Sequence, residues 1–251
     1  MTPILSDKKR SFGLSSFSLH ILAMVFMLMD HMWATVVPGN LWLNCVGRLA
    51  FPMFAFMLVE GYHRSRSVRK YMLRLLIFAI VSEVPFDLMV SGSLLYPFCQ
   101  NVMWTLLLGL GTIYLIDRLI GDRQSLIRLL AVFGSVAVSV TLATVLMLDY
   151  YGCGILTVLT FYIFRGDKRL PRLGQLICLG IINLGLIGGP VIPVSFLGLS
   201  FDFPQQGLAL LSLVFIWLYN GSQGPHGKAV KYSFYIFYPL HMLILGLIAI
   251  A

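Results

Sequence analysis

Nine stretches of this chain are apolar and almost free of charge, running roughly over residues 19–37, 41–62, 72–90, 101–118, 126–147, 152–165, 174–190, 206–220 and 232–250. A transmembrane helix needs about 20 such residues. Only a chain whose solvent is lipid can carry so many of them. Hydrophobic residues make up 59% and charged residues 11% of the 251 positions. A soluble domain carries roughly 25% charged residues, so a soluble enzyme, a nucleic-acid module and a disordered tail are excluded. The expected fold is all-α: a polytopic transmembrane helix bundle of about nine spans, with eight to ten as the range. Residues 1–18 form a cytoplasmic N-terminal segment, and residues 19–251 form a single transmembrane domain.

The charges give the orientation. Of the 18 Lys and Arg residues, 17 fall at the N-terminus or at every second loop, and Arg48 is the exception. The alternate loops, near residues 38–40, 91–100, 149–151 and 190–205, contain none. The positive-inside rule then puts the N-terminus in the cytoplasm and the C-terminus outside. In this setting the net charge of +8 reports cytoplasmic loops rather than nucleic-acid binding. The four cysteines have no CxxC or metal-ligand spacing. No internal repeat or separable soluble domain is visible.

Ionisable residues inside a span are costly and mark sites. Here they are Asp30 and His31, Arg48 and Glu60, Glu83 and Asp87, and His241. Counting along the spans puts Asp30, His31, Arg48, Glu83 and Asp87 at one outer level. Asn101, Asp149 and Tyr150 join them, while His241 falls near mid-membrane. An Arg48 pair with Asp30 or Glu83 could only fix helix register. Glu60 and Arg64, at i,i+4, read equally well as an interfacial ion pair. His31 is the residue best suited to carry a proton at neutral pH. Pro52, Pro85 and Pro239 each remove a hydrogen bond inside a span. Lys231, Phe234, Tyr238 and His241 share one helical face. Arg64, Arg66, Arg69, Lys70 and Arg74 form a basic run that contacts lipid headgroups or grips phosphates.

Several ordered motifs carry a resemblance. They are Met29-Asp30-His31, Gly47-Arg48-Leu49-Ala50-Phe51-Pro52, Val59-Glu60-Gly61, Ser82-Glu83-Val84-Pro85-Phe86, Asn101 with Thr105, Asp149-Tyr150 with Gly152, Tyr219-Asn220-Gly221 and Tyr232 through His241. Their order resembles the TraX family of bacterial membrane proteins. The resemblance implies a multi-pass acetyltransferase of the bacterial cytoplasmic (inner) membrane. It also implies acetyl-CoA as donor and a pilin or other peptide N-terminus as acceptor, and it is distantly similar to acyltransferases that carry acyl groups across the bilayer to glycans.

On that expectation His31, Asp30, Arg48 and Glu83 are the catalytic group. His31 acts as general base or takes the acetyl group covalently, and Arg48 stabilises an oxyanion. Arg64, Arg66, Lys70, Arg74, Tyr238 and His241 bind the donor. Glu60, Asn101, Tyr150 and Asn220 contact donor or acceptor. No metal is required. The partners are acetyl-CoA, an acceptor of peptide or glycan type and the bilayer. The alternative class is a proton-coupled transporter, because buried Asp, His, Glu and Arg serve proton relays equally well. Dependence on acetyl-CoA separates the two.

Overall fold

The computed structural model describes residues 12–119, 126–196 and 199–251. The basic residues Lys8, Lys9, Arg10 and Arg123 lie outside the described residues, as does most of the expected N-terminal segment. Each of the nine apolar stretches coincides with helix. Helix α1 (Ser16–Thr35) starts where the Ser15 hydroxyl accepts the Ser18 N–H at 3.1 Å, an N-cap that satisfies one of the helix's free donors. The second stretch is two helices, α2 (Leu41–Gly47) and α3 (Ala50–Arg64). The break falls at Arg48 and Leu49, so Pro52 sits in the first turn of α3, where its missing N–H costs no helical hydrogen bond.

Helices α4 (Val68–Ser91), α5 (Val102–Leu119), α6 (Leu126–Val145) and α7 (Tyr151–Ile163) follow. Helix α8 (Arg169–Gly180) continues into a π-helical turn at Ile181–Leu186. A 3₁₀ segment (Gln205–Leu211) leads into the short α9 (Ser212–Trp217), and α10 (Lys228–Ile250) closes the chain. Among the described residues, five helical stretches are long and apolar enough to cross a membrane: Ser16–Thr35, Leu41–Arg64, Val102–Leu119, Leu126–Val145 and Lys228–Ile250. The helices Tyr151–Ile163 and Gln205–Trp217 are apolar but shorter. Length and composition therefore support five crossings, against the nine expected.

Among the described residues, one pair of strands departs from the all-helical expectation. Residues 190–205, expected to be a loop, contain an antiparallel hairpin of β1 (Val191–Phe196) and β2 (Leu199–Pro204). The β-branched Val191, Ile192 and Val194 of β1 suit a strand, as does the alternation of Phe201 and Phe203 with Ser200 and Asp202 in β2.

Burial is that of a protein in lipid. The interior is built from Leu19, Ala23, Met53, Leu110, Ile155, Val158 and Met242. The outer faces are apolar as well: on α6, Ile127, Leu130, Phe133, Val138 and Val145 are exposed. A water-facing helix would carry polar residues there. Helix α10 packs against α4 and α1, and α1 also packs against α2 and α3. The approach of α10 to α4 is close because of Gly246, where a Cβ would lie 3.0 Å from the Met89 backbone nitrogen. The basic ends of α3, α4, α7 and α10 gather at one end of the bundle. This basic end is opposite the α1–α2 connection.

Candidate functional site

At the non-basic end, α1 and α2 bring Asp30 beside Arg48. Arg48 Nη2 donates to Asp30 Oδ1, and Asn44 Nδ2 donates to the same oxygen at 2.6 Å. The ion pair is not fully enclosed, since each side chain keeps 21% of its surface. Gly47 permits the contact: a Cβ there would overlap the Asp30 carboxylate. Further amides extend the network. Arg48 Nη1 donates to Gln206 Oε1 at 3.4 Å, Gln205 Nε2 donates to Asn44 Oδ1, and Gln206 Nε2 donates to Asn183 Oδ1 at 2.9 Å. Asn44, Asn183, Gln205 and Gln206 are all buried. Buried amides survive only when paired, and here each has a partner.

His31 faces α10. Its Nδ1 lies 2.7 Å from His241 Nε2, and His241 Nδ1 lies 2.8 Å from the Phe237 carbonyl oxygen. The ring centroids are 4.9 Å apart and the planes 4° from parallel. An N···N separation of 2.7 Å is too short for stacked rings, so the two imidazoles are hydrogen-bonded edge to edge. The partners fix the protons. A carbonyl only accepts, so His241 Nδ1 carries the hydrogen and the neutral ring presents a bare Nε2. His31 Nδ1–H must then donate to it, which leaves the lone pair of His31 on Nε2. The sequence put His241 nearer mid-membrane. The structure puts it level with His31.

Asp30, His31 and Arg48 line a cavity of about 760 Å³ together with Asp149 and Tyr150. The corner between α6 and α7 presents these last two. It is unusual backbone: Met147, Tyr150 and Tyr151 have φ of 53°, 62° and 47°. Left-handed non-glycine residues are uncommon and cluster at functional sites. The corner is held where Thr105 Oγ1 donates to the Asp149 carbonyl at 2.6 Å, and where Tyr150 stacks on Phe51 at 4.0 Å. Burial pushes the Asp149 carboxyl up to about 7, with nearby Arg48 opposing the shift and Asp30 adding to it.

Glu83 belongs to a different cluster. It accepts hydrogen bonds from Asn101 Nδ2 and from Trp104 Nε1, the latter at 2.8 Å, and Asn101 also donates to the Ala79 carbonyl at 2.9 Å. Neither Glu83 nor Asn101 lines the cavity. Asp87 accepts the Tyr96 N–H at 2.9 Å and ties down the following loop. Asn220 lines neither cavity: its Nδ2 donates to the Gly13 carbonyl and its Oδ1 accepts the Ser222 N–H, a loop brace beside the wall residue Tyr219.

A second cavity, of about 470 Å³, opens at the basic end. Of the expected donor-binding residues, Arg64, Arg74 and Tyr238 line it, and Arg66, Lys70 and His241 do not. Lys231 and His20 add to its wall. Glu60 is on this wall too, in ion pairs with Arg64 at 3.2 Å and Arg165 at 2.8 Å. Arg74 sits 5.3 Å above the Tyr71 ring. Met27, Phe54, Val102 and Tyr238 line both cavities and so stand between them. The Val102 N–H donates to Tyr238 Oη at 3.3 Å.

The sequence reading missed the amides Asn44, Asn183, Gln205 and Gln206, because neutral side chains in apolar stretches do not stand out as charges do. It missed Arg165 as a Glu60 partner. It also missed Asp117, which accepts hydrogen bonds from Tyr62 and Tyr162 at the basic end. Among the described residues no group of three or more His, Cys, Asp or Glu could hold a metal ion.

Helices clothed in apolar side chains around a half-buried histidine–acid–arginine cluster define an integral membrane protein with a polar site inside its bundle. The chain belongs to the TraX family: the family model described as TraX protein matches residues 15–249. It is also 31% identical over 252 residues to a protein of Dichelobacter nodosus named "Probable fimbrial assembly protein FimC, serogroup H1", a match covering 94% of this chain and 96% of the relative. No solved structure matches.

Proposed function

We propose that this protein is an acetyltransferase of the bacterial inner membrane that takes an acetyl group from cytoplasmic acetyl-CoA and passes it to an acceptor at the opposite face. The observation that carries the reading is the pairing of the two cavities. One is basic, the other is lined by His31, whose Nδ1 is bonded to His241, and four residues separate them. In this reading all nine helical stretches sit in the membrane, with the N-terminus and the basic end in the cytoplasm.

Arg64, Arg74 and Lys231 would hold the phosphates of coenzyme A, and the thioester arm would point toward Tyr238. From Lys231 to Tyr238 the helix rises about 10 Å, a distance an extended arm spans. The acceptor enters the larger cavity. Its nitrogen or oxygen attacks the thioester carbon, the C–S bond breaks and coenzyme A leaves as the thiolate. His31 Nε2 takes the proton from the acceptor. Arg48 lies on the same wall and would stabilise the oxyanion, while Asp30 and Asn44 hold it in place. Asp149 and Tyr150 would contact the acceptor.

The fimbrial relative favours the amine of a pilus subunit as acceptor, with a glycan hydroxyl as the competitor. The test is thiol release from acetyl-CoA by purified protein with and without a pilin N-terminal peptide. Peptide-dependent release with an acetylated product supports the reading. Proton-driven flux of a small molecule, with no use of acetyl-CoA, would favour a transporter instead.

A further inference from the structure

We infer that His241 is a positioning residue: it accepts the Nδ1 proton of His31 and so holds the His31 Nε2 lone pair toward the larger cavity. The activity arm of this inference rests on the proposed acetyl transfer, whereas the geometry stands without it.

The chain of partners runs one way. The Phe237 carbonyl is part of the α10 backbone and can only accept, so it holds the proton of His241 on Nδ1. The Phe237 ring lies 4.7 Å from the His241 ring and 12° from parallel, which fixes the imidazole plane. Only 5% of His241 is exposed, so its Nε2 has little water to bond with. His31 Nδ1 fills that need at 2.7 Å. Which nitrogen of a histidine carries the proton is set by the hydrogen bond the other makes. Here the α10 backbone sets it for His241, and His241 sets it for His31. His31 lines the cavity and His241 does not. The arrangement gives the base one tautomer and one orientation before any ligand arrives. Asp30, although adjacent in sequence, is engaged with Arg48 and Asn44 instead.

The test has two readouts. Histidine labelled with ¹⁵N and ¹³C in the whole protein, reconstituted in lipid, reports tautomers directly by solid-state NMR, and His31→Ala assigns the His31 signal. The expected spectrum has His31 and His241 both protonated at Nδ1. His241→Leu should release His31 from the single tautomer. It should lower acetyl-CoA turnover by about a hundredfold, with KM for the donor changed less than about twofold. His241→Gln offers an oxygen near the position of Nε2 and should restore turnover to within roughly tenfold of wild type. A wild-type His31 protonated at Nε2 overturns the inference. So does full turnover in His241→Leu, or an equal loss in the folded Leu and Gln variants. If the wild type turns over no acetyl-CoA, the acetyltransferase reading falls, and the tautomer spectrum still decides the role of His241.

Discussion

Gly47 on α2 lies so close to Asp30 on α1 that one added methyl group would overlap the carboxylate. The glycine therefore sets how near the two helices come, and with it whether Arg48 can reach Asp30. Gly47→Ala must push α2 outward or rotate Asp30 away from its partners. Overpacking of this kind costs about 1–3 kcal/mol. The expected outcome is a lower melting temperature together with a fall in donor turnover, both checked on the detergent-purified variant.

Arg48 and Asp30 should be coupled. Removing one partner of an enclosed pair leaves the other charge unpaired, a loss of about 3–5 kcal/mol when burial is complete. This pair keeps one-fifth of its surface, so roughly 1–3 kcal/mol is the expected cost of Arg48→Met, after discounting for solvent. The double variant Asp30→Asn/Arg48→Met should be more stable than Arg48→Met alone. A double-mutant cycle by chemical unfolding measures the difference.

Asp149 gives the protein a pH dependence of definite sign. Its carboxyl rises from 3.8 to about 7 on folding, because burial disfavours the charge. The folded state therefore binds the proton more tightly than the unfolded state. The stability this contributes is full below about pH 4, falls as pH rises, and is gone above about pH 7. Asp149→Asn should flatten the fall in melting temperature across that window and leave the variant more stable than wild type at pH 8.

The basic run divides into two groups. Arg74 faces the smaller cavity, whereas Lys70 does not. Losing one charge-assisted phosphate contact raises KM by roughly tenfold or more. Arg74→Ala should therefore raise KM for acetyl-CoA with kcat nearly unchanged, the pattern of lost uniform binding. Lys70→Ala should change neither. Initial rates over a range of donor concentrations separate the two variants.

The sequence exposed the parts of this site better than their grouping. Asp30, His31, Arg48 and His241 stood out because ionisable groups are rare in apolar helices. Their depth could be counted along each span, but direction around the bundle could not. Glu83 shares a level with His31 in that count, yet it faces Asn101 and Trp104. His241 counts as deeper because it falls near the middle of residues 232–250, and nothing in the chain names its neighbours. The contact that brings it level with His31 spans 210 residues. Gln205 and Gln206 were read as loop edge and span start, and their role at Arg48 follows only from the fold. The hairpin at Val191–Pro204 was hidden by its proline, serine and glycine residues, which also suit a loop. Apart from the break at Arg48–Leu49, helix positions were legible, since long apolar runs bounded by charged or turn residues leave few alternatives.

Under the proposed function His31 serves acetyl transfer from acetyl-CoA. The most direct measurement is acetyl-CoA binding and turnover by the purified protein, wild type beside His31→Ala. A role for His31 in the transfer predicts equal donor affinity in the two proteins and turnover at least about a hundredfold lower in the variant. Equal turnover in both, or no binding of acetyl-CoA by folded wild-type protein, would contradict it.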